Sequence, residues 1–252
     1  LNQVASENTD IGEPKTTALD FRLFDAPLTD KDQLNFWGAY GHTPEATKND
    51  GTYLSETHSF VAGVRYRRQL EGGFNDLAIT YGNKLLREFT LPETPYDDPD
   101  NDEYVIGDAF SFRVVEHLST TITDNLQTYF SLIYERKDTG KSGDATISWY
   151  SVGARPVYFF SDAASLAFEA GYSLVEADQA FNDNSSGSHR LARFTLAGQL
   201  HPPIKNIWTR PVLRAFITHS RWNDNNIGEV GGDAYANKTD ATQFGFQTEV
   251  WF

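Results

Sequence analysis

The 252-residue sequence contains no cysteine. A disulfide scaffold and thiolate metal sites are therefore excluded. Methionine is absent too, even at position 1, so the chain is expected to begin after processing or truncation. Its start, LNQVASENTD, lacks the basic end and apolar core of a signal peptide. No apolar run reaches the roughly 18 residues that a membrane-spanning helix needs. Basic residues are few: 21 Lys and Arg against 35 Asp and Glu leave a net charge of -14 and a pI near 4.7. That balance argues against a nucleic-acid partner, whose phosphates would be repelled. The G-x-S-x-G, H-E-x-x-H and P-loop motifs are missing. Ser/His pairs such as Ser111 and His117 occur, but nothing in the sequence places them together, and no catalytic residue is expected. The six histidines (42, 58, 117, 189, 201, 219) show no metal-ligand spacing. Neither a metal nor a cofactor is expected.

Aromatics, by contrast, are abundant at 14%, with 18 Phe and 12 Tyr. They fall in segments of about ten residues with period-two alternation, the pattern of strands with two different environments. The last twelve residues, ATQFGFQTEVWF, set the type. Phe244, Phe246, Thr248, Val250 and Phe252 share one face; Gln243, Gly245, Gln247, Glu249 and Trp251 share the other. An aromatic carboxyl terminus on such a strand is the usual end of an outer-membrane barrel, with apolar residues toward lipid and polar ones toward a wet lumen. A soluble all-β protein would share the low mean hydropathy of -0.49.

Residues 1–16 read as a polar loop. The alternation then predicts strands at about 17–26, 33–42, 57–70, 74–83, 108–119, 126–137, 145–159, 165–177, 188–200, 207–222 and 241–252. Short connections (PLTDKD, Glu71 to Gly73, TITDN, SDAA, HPPIKN) alternate with long polar ones, the asymmetry of periplasmic turns and extracellular loops. The expected fold is all-β: an antiparallel transmembrane β-barrel forming a single domain over 1–252. Closed single-chain bacterial barrels have even strand numbers, so eleven strands imply that N-terminal strands are missing; one miscounted strand would restore ten or twelve.

Several stretches resemble the maltoporin, or sugar-specific porin, family in order along nearly the whole chain. They are LEGGFNDLAITYG (70–82), FRVVEHLS (112–119), WYSVGARPVYFF (149–160), LAFEAGYSLVEA (166–177), IWTRPVLRAFITHSRW (207–222) and FGFQTEVWF (244–252). The resemblance implies the C-terminal three-fifths of an eighteen-stranded, homotrimeric barrel in a Gram-negative outer membrane, surrounded by lipid and lipopolysaccharide. Its function would be passive diffusion of maltodextrin-like oligosaccharides along a lumenal trail of aromatics. Phe74, Trp208 and Trp251 fall on three positions of that trail, and all three lie on the polar phase of their segments. The apolar face of a sugar ring covers an aromatic ring, while its hydroxyls need polar partners alongside. Arg210, Arg214, Glu249 and Asp76 are the candidates, and arginine offers several donors in a fixed fork. The rest of the family's trail and its constricting loop have no counterpart here.

Blander readings stand beside these. Trp208 and Trp251 suit an interfacial aromatic girdle. Trp37 shares the lumenal phase without a motif match. Arg65, Arg67, Arg113 and Arg155 suit ordinary charge pairing on the wall. The run DDPDNDE (97–103), with five acids in seven residues, lacks calcium-loop spacing and reads as a solvated loop. The alternatives to a sugar channel are a general diffusion porin and a soluble or surface all-β carbohydrate-binding module.

Overall fold

The computed structural model describes residues 2–4, 16–47, 53–87, 89, 109–138, 140, 146–181 and 185–250. The acidic run 97–103 and Trp251 with Phe252 lie outside these residues. One antiparallel sheet contains eleven long strands and one short one. The long strands are β2 (Thr16–Pro27), β3 (Asp32–Thr43), β6 (Thr57–Leu70), β7 (Gly73–Asn83), β8 (Phe110–Thr123), β9 (Leu126–Asp138), β10 (Thr146–Phe159), β11 (Ala164–Phe181), β12 (Ser185–Leu200), β13 (Val212–Trp222) and β14 (Asp240–Glu249). Each pairs with its neighbour in sequence order. A separate hairpin, β4 (Ala46–Thr47) with β5 (Tyr53–Leu54), decorates the β3–β6 connection.

Four expectations are corrected. The segment 1–16 is not all loop, because β1 (Asn2–Val4) pairs with β2. The β8–β9 turn is tighter than TITDN: cross-strand pairing continues to Thr123 opposite Leu126. The β11–β12 hairpin is longer than expected, with pairing as far as Phe181 opposite Ser185. The strand predicted to begin at 207 begins at Val212. Pro202, Pro203 and Pro211 interrupt that stretch, and a proline cannot donate to a ladder. Residues 201–211 therefore form an irregular turn.

The two faces separate as the alternation requires. Outward-facing side chains are large, apolar and exposed: Phe21, Phe36, Phe60, Ile79, Leu132, Val152, Phe168, Leu196 and Ile217 among them. On β14 they are extreme, with Phe244 86% and Phe246 82% exposed. No water-soluble sheet leaves such a surface uncovered, whereas lipid favours it. Toward the long-loop end, outward aromatics meet strand by strand: Phe60 with Tyr81, Tyr81 with Phe110, Phe112 with Tyr134, and Tyr134 with Tyr150. This is an aromatic girdle, built from residues other than the tryptophans considered above.

The buried residues lie on the inner face. Val157 and Phe159 of β10, Ala167 of β11 and Ala197 of β12 form a small core, capped by Ile207 from the irregular turn and by Phe216 of β13. The turn reaches further, to β8 and β9. Gln127 Nε2 donates to the Lys205 carbonyl at 2.8 Å, Ile207 N donates to Gln127 Oε1 at 3.0 Å, and Lys205 Nζ donates to Asn125 Oδ1 at 2.8 Å. At the opposite end a short 3-10 helix (Lys84–Leu86) folds inward, burying Leu85 and Leu86. Gly82 makes room for it: a Cβ there would stand 2.3 Å from the Leu86 carbonyl oxygen.

Candidate functional site

The inner wall carries an aromatic cluster and three sets of paired charges. Phe74 is the second residue of β7, cross-strand from Ser119 of β8. Its ring stacks on Trp208 at 6.2 Å between centroids and 25° between planes. Trp208 arrives from the irregular turn, not from a strand. Its indole N–H donates to Ser119 Oγ at 3.1 Å, and Tyr129 of β9 meets its ring edge-on at 5.6 Å. His117 lies against Tyr129 at 5.7 Å. Trp208 keeps 45% of its surface exposed, so one face is held while another stays open.

Beside this cluster, Asp76 of β7 is nearly buried and accepts from two arginines of β6. Arg67 binds it through Nε at 2.7 Å and Nη2 at 2.6 Å, and Arg65 through Nη2 at 2.6 Å. The Arg67 guanidinium also sits 4.7 Å from the centre of the Phe74 ring, a cation–π contact. Asp76 thus fixes the fork that flanks the aromatic platform, and Arg65 keeps nearly half of its side chain in solvent.

A second set lies at the β13–β14 end. Glu249 accepts from Arg210 Nη2 at 2.9 Å and from Arg214 Nη1 at 2.8 Å. Both arginines are almost fully buried, so their donors serve the wall first. The Gln199 amide oxygen accepts from Arg214 Nε at 2.7 Å and from Arg155 Nη2 at 3.3 Å, while its NH2 donates to Ser165 Oγ at 3.1 Å. Charges on a wall of low polarity are stable only with such partners. Arg155 and Arg214 line a cavity together with Glu169, Arg193, Thr195 and Phe216, among others. Toward the long-loop end Arg113 pairs with Glu135, and its guanidinium lies 4.8 Å from the centre of the Phe89 ring.

The structure therefore brings Phe74 and Trp208 together with Asp76 close by, and brings Arg210, Arg214 and Glu249 together separately. Trp251 lies outside the described residues, two positions past Glu249. Ser111 and His117 stay apart, on the same strand with different cross-strand partners. Trp37 lies on the inner face, donating its indole N–H to Asp20 at 3.1 Å.

An open antiparallel sheet with an apolar outside, an aromatic girdle and a charged, aromatic inside has the wall of a membrane channel. The LamB porin family model matches residues 2–252. The chain belongs to the LamB porin family. Membership makes it a β-barrel porin of the outer membrane, concerned with sugar transport; LamB porins are channels, not enzymes.

Within the LamB frame, Tyr129, Phe216 and Phe89 are inner-wall aromatics that the sequence pattern left unnamed. Tyr129 alternates between Gln127 and Ser131 on the lumenal phase of β9, so its side was readable even though its contact with Trp208 was not. Phe216 has the same parity as Arg214 and lies across Gly245, where a Cβ would come within 3.0 Å of the ring. Phe89 carried no signal, because it belongs to a connection whose inward fold the alternation does not encode.

Proposed function

We propose that this LamB porin conducts maltodextrin-like oligosaccharides by passive, saturable diffusion across a Gram-negative outer membrane. The observation that carries the reading is the Phe74–Trp208 platform, with Trp208 45% exposed and Phe74 partly buried, flanked by the Arg65–Arg67–Asp76 fork. The two rings present a continuous apolar surface, and the guanidiniums beside it offer donors to hydroxyls at the edge of a stacked sugar. Phe74, Trp208 and Trp251 serve as successive stacking positions. Glu249, Arg210 and Arg214 are the polar groups beside the Trp251 end. Binding at each position is weak and repeated, as flux demands.

The chain supplies the last eleven strands of an eighteen-stranded barrel that assembles as a homotrimer. The edge of β14 supports this arrangement: among the described residues its only strand partner is β13, and unpaired backbone groups in a bilayer cost several kcal/mol each. Lipid and lipopolysaccharide surround the outward face. The test is ion conductance of the natively extracted protein in a planar bilayer, titrated with maltohexaose. Saturable block is expected. An open current indifferent to sugar would make the protein a general diffusion porin and return the aromatics to a packing role.

A further inference from the structure

Outside the lumen, two histidines distant in sequence become neighbours through strand register. His42 of β3 is the direct cross-strand partner of His58 of β6. Their rings stack at 4.9 Å with 16° between planes. Glu56, just ahead of β6, turns one carboxylate oxygen toward both: Oε1 is 2.7 Å from His42 Nε2 and 3.5 Å from His58 Nε2. The donor atoms of the three residues all lie within 4.8 Å of one another. Two imidazole nitrogens and a carboxylate oxygen gathered this closely are the donor set of a zinc-type ion.

The spacing suits an ion. Metal–ligand distances of about 2.0–2.1 Å in a tetrahedron place ligand atoms roughly 3.3 Å apart. The 3.5 Å His58–Glu56 separation is close to this; the 2.7 Å His42–Glu56 contact must lengthen and the two stacked rings must turn out of parallel for both Nε2 lone pairs to meet one ion. The next layer fits as well: the other ring nitrogen of His58, Nδ1, lies 2.6 Å from the Tyr40 hydroxyl. A ligating histidine is characteristically oriented by a hydrogen bond from its second nitrogen. All three ligand residues are partly exposed, which leaves a fourth position to water.

We propose that His42, Glu56 and His58 bind a divalent transition-metal ion such as Zn2+. Both histidines bind as neutral imidazoles through Nε2, Glu56 contributes the single negative charge, and His58 donates Nδ1–H to Tyr40. The site sits on the outward face, beside Tyr40 and just beyond Phe60 of the aromatic girdle. An ion there fastens Glu56 to the ends of β3 and β6 and so closes the base of the connection between them.

Calorimetric titration of the natively extracted protein with Zn2+ tests this, alongside electron paramagnetic resonance with Cu2+. One Zn2+ per chain is expected, with two nitrogens on Cu2+. His58→Gln and His42→Gln each remove one nitrogen from the Cu2+ spectrum. Tyr40→Phe weakens Zn2+ by about tenfold or more, the usual effect of losing an orienting partner. His219→Gln, on a distant strand, changes neither readout. Absence of saturable Zn2+ binding overturns the proposal, as does a parent Cu2+ spectrum without nitrogen ligands. A site that survives the double variant His42→Gln/His58→Gln overturns it equally. The parent spectrum decides even if a variant fails to fold.

Discussion

Deleting the Trp208 ring is the most direct perturbation of the proposed sugar path. Trp208 is held from one side by its 3.1 Å hydrogen bond to Ser119 and is 45% exposed on the other. An aromatic face lost from a stacked contact costs about 1 kcal/mol beyond area burial, roughly fivefold in affinity. Trp208→Ala is therefore expected to raise the half-blocking maltohexaose concentration about fivefold, with little change in open conductance. Phe74→Ala should do the same. Their centroids are 6.2 Å apart and the rings are in contact, so the two losses are coupled and the double variant should depart from the roughly 25-fold product of independent sites. Ser119→Ala is the control. It frees the indole N–H but keeps the ring, at a cost of about 1 kcal/mol in stability, and should leave sugar block close to that of the parent. Current-fluctuation analysis in planar bilayers gives the affinities. An unchanged half-blocking concentration in either single alanine variant, with the barrel intact, refutes the platform as a sugar site.

Other expectations follow from the same wall. Trp251→Ala should weaken oligosaccharide affinity by roughly 1–2 kcal/mol, read from the same conductance block. Asp76→Asn leaves Arg65 and Arg67 without their shared carboxylate, and the reversal potential in a salt gradient should move toward anion selectivity; an unmoved potential would mean that these arginines do not face the ion path. Phe244→Arg places a charge on an outward position near the middle of β14. It should destabilise the barrel by about 2–4 kcal/mol, the cost of a midplane cation, measured by equilibrium unfolding in lipid. A neutral effect would mean that Phe244 does not face the membrane interior.

Period two was enough to sort side chains by face. Phe74 and Asp76 separated from Leu77 and Ile79, and Arg155 from Val152 and Tyr158, because neighbouring side chains on a strand must point opposite ways. It failed where the chain leaves the ladder. Trp208 was assigned to a strand that does not extend to it; the prolines around it were the legible warning, and its lumenal position comes from a turn folded over the wall. Register was the other blind spot. Sixteen residues separate His42 from His58, and no spacing rule joins them until strand pairing sets one opposite the other. The same holds for Asp76, whose partners Arg65 and Arg67 lie across a tight hairpin. Their charges were visible in the sequence, but a bidentate grip is a property of geometry.

The turn 201–211 also has a mechanical consequence. It leaves β12, crosses the concave wall and fastens to Asn125, Gln127 and Ser119, at the short-turn end of β8 and β9. Four strand spacings of about 4.8 Å separate β8 from β12, so the turn works as a chord drawn across an arc. An arc with a chord cannot flatten without stretching it or tighten without compressing it. The curvature of the wall at this level is then restrained by a few hydrogen bonds and one isoleucine. The tryptophan rides on the same chord, so its height above the wall is fixed by the span that braces the wall.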